Sequence, residues 1–280
     1  MNNGFDAPRT YTPYAEVIGD PISHSKSPLI HGFWLQKLGI KAEYRAVHVL
    51  PDNLGDYLAS RAEDPHFRGC NVTVPHKLAV LAHVADPGGV GASLGAANII
   101  MRDAAGQLIA SNSDAAGFYA PIADEDWTGA HAIVIGAGGA ACAIIFALKQ
   151  AGIGKVTILN RNVLKASALL AHFGLSGRAL PLDARLPGDA RLLVNASALG
   201  MAGQAPLELD LSPLGPETLV YDIVYAPLVT PLLVAAEARD LVTIDGLDML
   251  VGQAAVAFEL FFGVAPPRDA DDELRGILLA

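Results

Sequence analysis

Midway along the chain, Ile133-Val134-Ile135-Gly136-Ala137-Gly138-Gly139-Ala140-Ala141 passes from a β-branched run through glycines to small, helix-compatible residues. A strand that turns directly into a helix through glycines is the core of a parallel α/β unit. The spacing is G-x-G-x-x-A. Gly136 permits the tight turn, Gly138 lets a pyrophosphate approach the backbone, and the small Ala141 lets the helix pack on the strand. Ala137, Gly139 and Ala140 complete the loop, whose helix N-terminus suits phosphates. A plain tight connection would use similar residues, so the next strand has to decide.

That strand, Lys155-Val156-Thr157-Ile158-Leu159, ends at Asn160-Arg161. An NAD site usually carries Asp or Glu here, about twenty residues after the glycines, for the ribose 2′-hydroxyl. This chain instead has an amide and a guanidinium, with Lys165 one helical turn beyond. A forked cation suits a 2′-phosphate, which favours NADP as the cofactor. The competing reading makes Arg161 and Lys165 the solvated start of a helix.

With 280 residues, 52% of them hydrophobic, the chain can bury the cores of two α/β domains. Its net charge of −10, without a Lys/Arg cluster, argues against nucleic acid and anionic membranes as partners. Cys70 and Cys142 are the only cysteines, which fits reduced thiols in the cytoplasm better than a disulfide scaffold. The histidines form neither H-E-x-x-H nor Cys/His pairs, so no metal is expected. The opening MNNGFDAPRTYTPYAEV lacks the apolar core of an export signal. The uncharged stretch 131–148 approaches the length of a membrane span, but its glycine turn breaks it.

Ahead of the glycine turn the pattern predicts a strand at 16–19, a helix at 28–38 and a strand at 44–49. A polar helix at 52–61, a strand at 69–74 and a helix at 75–84 should follow. Segments 97–100 and 107–110 should then form a hairpin around Asp103-Ala104-Ala105-Gly106. After the turn, strands near 191–195, 218–222 and 241–244 should alternate with helices, as a doubly wound sheet requires. A long apolar helix at 247–262 is expected to pack back on the first domain. The fold class is α/β: a discontinuous substrate domain (1–113 and 248–280) around a Rossmann-type, doubly wound NADP-binding domain (114–247).

The chemistry is expected in the cleft between the domains, where polar residues gather at strand ends. Ser23-His24-Ser25-Lys26-Ser27-Pro28 follows the first strand and caps the next helix, so its hydroxyls and the helix amides suit a carboxylate. In Asn71-Val72-Thr73-Val74-Pro75-His76-Lys77, Lys77 opens a helix, a poor place for a cation beside the dipole. Asn98 starts a strand, and Asn112-Ser113-Asp114 leads into a helix that Asp114 can cap. Pairing Lys77 with Asp114 gives a proton relay for alcohol–ketone interconversion. The carboxylate stabilises the ammonium, while burial in the cleft pushes the lysine the other way.

At these residues the chain resembles the shikimate dehydrogenases. The family's S-x-S segment matches Ser25 to Ser27, N-V-T-x-P-x-K matches Asn71 to Lys77, and N-[ST]-D matches Asn112 to Asp114. The glycine loop, Asn160-Arg161, Asn195 to Met201, Tyr221 to Tyr225 and Asp245 to Gln253 match further segments. The resemblance implies reversible NADP-dependent reduction of 3-dehydroshikimate to shikimate, toward chorismate and the aromatic amino acids. It makes Lys77 and Asp114 catalytic and places Ser25, Ser27 and Tyr225 on the substrate carboxylate. It puts Asn71, Thr73, Asn98 and Gln253 on the rest of the substrate and sets Ile223 and Gly246 beside the nicotinamide.

Three positions depart from the family pattern: Ala115 and Asp248 stand for glycines and Asn162 for threonine. Asp248 at its helix start would make an N-cap close to the nicotinamide. Alternative functions are a dual-specificity quinate/shikimate dehydrogenase and, more remotely, a folate one-carbon dehydrogenase. The latter has no reason to keep the serine cradle. The chain is expected to act as a monomer or homodimer.

Overall fold

The computed structural model describes residues 12–280. Two expectations reach outside the described residues, the absence of an export signal and the start of the first domain at residue 1. The chain forms two compact units: residues up to Ser113 together with Ala254–Ala280, and Asp114–Gln253.

The first unit runs β1 (Tyr14–Gly19), α1 (Ser27–Lys37), β2 (Glu43–His48), α2 (Leu54–Glu63), β3 (Phe67–Val72), α3 (His76–Ala79), α4 (Val90–Leu94), β4 (Ile99–Arg102) and β5 (Leu108–Ser111). Its five-stranded sheet has the order β2-β1-β3-β4-β5. Val17 of β1 pairs in parallel with Ala46 of β2 and Asn71 of β3, and β4 and β5 add an antiparallel hairpin closing at Arg102↔Leu108. Every residue of the central β1 is buried, Glu16 included. Its carboxylate survives there because Tyr57 Oη (2.6 Å), Arg61 Nε (2.9 Å) and Arg45 Nη2 (3.0 Å) donate to it. Removing both arginines would leave a buried charge uncompensated, at about 3–5 kcal/mol. Ile18, Leu54, Tyr57, Phe67, Val80 and Ile100 form one core of this unit.

The second unit runs α5 (Asp114–Tyr119), β6 (His131–Ile135), α6 (Gly139–Gln150), β7 (Lys155–Leu159), α7 (Val163–Phe173), β8 (Gly177–Leu180), β9 (Leu192–Asn195), β10 (Leu219–Asp222), α8 (Pro231–Glu237), β11 (Thr243–Ile244) and the start of α9 (Gly246–Phe262). The six strands are parallel, in the order β11-β10-β9-β6-β7-β8, so the winding reverses beside β6. From Ala132 to Ile135 strand β6 is apolar because it faces two cores. Ala132 and Val134 join the α6 side with Ile144, Leu148 and Leu170, while Ile133 and Ile135 join the α8 side with Leu232 and Leu233. The second half of α9 and then α10 (Asp271–Leu279) belong to the first unit, where Phe258 stacks on His31 and meets Trp34 edge to face.

Three expectations about elements need correction. The helix expected at 75–84 is two short pieces, α3 and a 3-10 turn at Val80–Ala82. No helix separates β9 from β10: Pro206, Pro213, Pro216, Gly200 and Gly203 interrupt any helical run, and Leu207, Leu211 and Leu214 cover the sheet face instead. Strand β8, α4 and α10 were not foreseen, because their short or mostly polar stretches carry little periodic signal. Among the described residues, no helix is long and apolar enough to cross a membrane and no group of three or more His, Cys, Asp or Glu residues is placed to hold a metal.

Candidate active site

The glycine turn is built as its sequence requires, but each glycine has its own reason. Gly136 has φ +105°, and a Cβ on it would lie 3.0 Å from the Ala196 carbonyl oxygen, so conformation and crowding both demand glycine. Gly138 takes φ −93° and ψ −169°, open to any residue, and a Cβ on Gly138 or Gly139 would meet no atom within 4 Å. Nothing in the chain itself calls for glycine at these two positions; close approach of a phosphate to the N-terminus of α6 does, so the loop fits a dinucleotide. Ala141 is fully buried behind it.

At the end of β7, Arg161 and Lys165 are exposed and Asn160 is half-buried. Arg161 and Asn160 line a cavity of about 180 Å³ together with Gly136, Ser197 and Gln204. Asn162 is the N-cap of α7: its Oδ1 accepts from Lys165 N (3.0 Å), and its carbonyl accepts from Asn160 Nδ2 (2.8 Å). The departure from threonine thus falls on a capping position that asparagine fills equally well.

A buried polar knot shapes the loops after β9 and β10. Asn195 Nδ2 donates to Leu199 O (3.0 Å) and Asp222 Oδ1 (2.9 Å), and Asn195 Oδ1 accepts from Ser197 Oγ (2.7 Å). Asp222 also accepts from Thr230 Oγ1 (2.7 Å) and Val224 N (3.0 Å), and its burial pushes the carboxyl pKa up. These bonds fix the turn through Ile223, Val224 and Tyr225. Gly246 is held to glycine by that turn, since its Cβ would lie 2.4 Å from Ile223 O. Tyr225 is half-exposed, and desolvation of its buried part raises its phenol.

In the first unit, the carboxyl ends of the parallel strands deliver the other candidates. Thr73 N donates to Ile18 O (2.9 Å) and Asp20 N to Val74 O (3.0 Å), which sets the loops after β1 and β3 side by side. Ser25 Oγ accepts from Ser27 N at 3.3 Å. The N-cap of α1 is Lys26, with no side-chain capping bond, so the serines do not cap that helix as expected; Pro28 starts it without needing a donor partner.

Asn71 and Asn98, both buried, are members of one amide chain. Tyr44 Oη donates to Asn71 Oδ1 (2.6 Å), Asn71 Nδ2 to Asn98 O (3.4 Å), Asn98 Nδ2 to Ser113 Oγ (3.1 Å), and Ser113 N to Asn98 Oδ1 (2.8 Å). Both amides are therefore held in fixed orientation by protein groups. Lys77, half-buried, is the second residue of α3, and its carbonyl accepts from Ala97 N at 2.8 Å. His76 before it is buried and bonded through Nε2 to Val49 O (2.7 Å), which anchors the turn that presents the lysine.

Asp114 is buried and is the first residue of α5. In the second unit α5 packs tightly on α9. A Cβ on Gly117 would lie 2.5 Å from Gln253 N, and one on Gly252 would lie 3.0 Å from Gly117 O. Gln253 Nε2 donates to Leu250 O (2.9 Å). Ala115 packs against the core beside it. At the start of α9 Asp245 Oδ1 accepts from Leu247 N (2.9 Å), and Asp248 lies exposed in the first turn, a favourable place for an anion.

Sequence reasoning missed Tyr44, Ser113, Asp222 and Thr230, whose work is to hold other polar groups. Two of them carried a signal: Ser113 in the Asn112-Ser113-Asp114 segment, and Asp222 as a carboxylate ending an otherwise apolar strand.

Family models match in three stretches: a "Shikimate dehydrogenase substrate binding domain" over residues 17–100, "Shikimate / quinate 5-dehydrogenase" over 120–185, and a "Shikimate 5'-dehydrogenase C-terminal domain" over 246–273. The chain is 62% identical over 269 residues to a shikimate dehydrogenase (NADP(+)) of Sphingopyxis alaskensis, covering 96% of this chain and 98% of that relative. Among solved structures, the shikimate 5-dehydrogenase of Thermus thermophilus in complex with NADP(H) and shikimate superposes with TM-score 0.84 at 35% identity, covering 95% of this chain and 100% of that one. A ligand-free 5-ketofructose reductase of Gluconobacter superposes with TM-score 0.87 at 29% identity, covering 95% of this chain and 99% of that one.

Proposed function

The chain belongs to the shikimate dehydrogenase family, and from that membership we infer that it catalyses the reversible, NADP-dependent reduction of 3-dehydroshikimate to shikimate, a step toward chorismate and the aromatic amino acids. One observation carries the reading: 62% identity over 96% of the chain to a shikimate dehydrogenase (NADP(+)), with the serine cradle, Lys77, Asp114 and the Arg161 signature all in place. The 5-ketofructose reductase shares the fold at 29% identity, less than half of that figure.

When bound, NADPH supplies the hydride. Lys77 gives the proton that the carbonyl oxygen takes up, and Asp114 orients the lysine. Ser25, Ser27 and Tyr225 receive the substrate carboxylate, while Asn71, Thr73, Asn98 and Gln253 order its hydroxyls. The glycine loop and Arg161 with Lys165 hold the pyrophosphate and the 2′-phosphate, and Ile223 and Gly246 border the nicotinamide. Residues 1–113 and 248–280 serve the substrate and 114–247 the cofactor. The rigid amide chain through Asn71 and Asn98 supports this assignment, because hydroxyl recognition needs preoriented donors and acceptors.

Purified protein assayed with shikimate and quinate, each with NADP and NAD, tests the reading. Shikimate with NADP should be preferred. Quinate is saturated at the carbon bearing the carboxylate and adds a hydroxyl there. Burying that group without a partner costs about 1–3 kcal/mol, a ten- to hundredfold preference for shikimate. Comparable efficiency for quinate with NAD would move the chain to the dual-specificity branch.

A further inference from the structure

The middle residue of the serine cradle does not point where its charge suggests. A lysine between two serines that receive a carboxylate would most simply pair with that carboxylate. Instead Lys26 Nζ donates to the Leu278 carbonyl at 2.7 Å, across 252 residues of sequence. That carbonyl belongs to the last turn of α10, where main-chain oxygens lack intrahelical partners and a cation complements the dipole. The acceptor is well located, because the Leu274 and Leu278 side chains are buried and fix the turn against the unit's core. At its other end α1 meets α10 again through Lys37 and Glu273 (2.6 Å), but that pair is exposed on both sides and holds little.

Lys26 is also the N-cap of α1: its carbonyl accepts from Leu29 N (3.1 Å) and Ile30 N (3.2 Å), and the serines flank it directly. We propose that Lys26 is a positioning residue, which fastens the Ser25–Ser27 loop to the end of α10 so that both hydroxyls face the substrate carboxylate. The cradle then reads its anion with hydroxyls and main-chain amides, and the lysine charge serves the protein. This rests on the reading that Ser25 and Ser27 receive the carboxylate.

Steady-state kinetics of four variants, with thermal midpoints alongside, test the proposal. Lys26→Met should raise the KM for shikimate about tenfold, the weight of one lost charge-assisted contact, with kcat and the KM for NADP within about twofold of the parent. Deleting residues 278–280 should give the same split, and combining the two changes should add nothing further. Lys26→Arg, whose fork can still reach the carbonyl, should restore most of the affinity. Glu273→Gln should leave KM unchanged. Should the deletion prevent folding, Leu278→Ala removes the buried side chain but keeps the carbonyl: it must lower the thermal midpoint without the Lys26→Met kinetics. A raised KM in Lys26→Met with an unchanged KM in the deletion would mean that the lysine touches substrate itself, and would overturn the proposal. Ser25→Ala separates the two failures. If it leaves the KM for shikimate unchanged, the cradle assignment falls; if it raises that KM while Lys26→Met does not, the tie alone falls.

Discussion

The two units present their candidate site residues at the carboxyl ends of parallel strands, with different materials. The second unit relies on main chain: Gly138 and Gly139 stand before open space at the start of α6, and Arg161 and Lys165 are exposed beside them. The first unit relies on side chains buried against one another, from Tyr44 through Asn71 and Asn98 to Ser113. A backbone site depends on local geometry and tolerates change around it. A side-chain network fails as a whole when one member goes. The contrast separates what each substitution should do.

The largest effect belongs to the reacting groups. Lys77→Ala should leave the fold and NADP affinity nearly intact and lower turnover by about two to four orders of magnitude, the reach of general acid–base catalysis. Asp114→Asn should also depress turnover, and if the two act as one relay the double variant should be little worse than the more damaging single one. Turnover near the parent level in Lys77→Ala would remove the proposed relay.

The same contrast explains what could be read in advance. A glycine turn, its following strand and the missing acid at Asn160-Arg161 are local patterns, and every one lies where its spacing put it. The doubly wound sheet follows from that turn. Asn71 and Asn98 were legible as polar residues at strand ends, but no spacing tells an amide that faces a substrate from one that bonds Ser113. Tyr44 was invisible because an aromatic in a strand is ordinarily core, and only the three-dimensional pairing of β2 with the rest of the sheet brings its hydroxyl to Asn71. The helix wrongly expected before β10 failed for a comparable reason. The sheet face needed an apolar cover, and a proline-interrupted segment supplied it without periodicity.

The next effect tests the second unit. Arg161→Ala should raise the KM for NADP ten- to a hundredfold and leave that for NAD nearly unchanged, because only NADP presents a 2′-phosphate to the guanidinium. Equal losses with both cofactors would show that Arg161 serves the common pyrophosphate instead, and would blur the division between main-chain and side-chain recognition.

Stability against pH sharpens the contrast further. The second unit pairs its buried His131 with Asp189 (2.8 Å) and Thr157 (2.9 Å). The first unit stacks fully buried His31 on Tyr44 at 3.9 Å, and among the described residues neither ring nitrogen has a hydrogen-bond partner. Burial holds His31 down to about 3, from an ordinary value of 6.5. As pH falls below 6.5 the unfolded chain therefore takes the proton first, so stability present above 6.5 is lost progressively toward 3. Between pH 6 and 4.5 this histidine should cost the fold about 2 kcal/mol, read as a falling denaturant midpoint. His31→Phe, which keeps the aromatic stack, should remove that increment. An identical acid slope in the variant would assign the loss to other groups.

The smallest effect is a substitution that the main-chain logic of the second unit says should hardly matter. Asn162 stands where the family carries threonine, next to Arg161, and its neighbourhood alone would make it a cofactor contact. Its Oδ1 is instead spent on Lys165 N at the start of α7, and its carbonyl on Asn160 Nδ2. Threonine caps a helix nearly as well as asparagine, so Asn162→Thr should change stability by only a few tenths of a kcal/mol, whereas Asn162→Ala, which has no acceptor, should cost about 1 kcal/mol. Both should leave the KM for NADP within about twofold if, as proposed, the glycine loop and the cations rather than the cap hold the phosphates. A tenfold change in that KM with an unchanged thermal midpoint would show that Asn162 faces the cofactor, and that the second unit, like the first, recognises its ligand through a side chain whose role its spacing does not reveal.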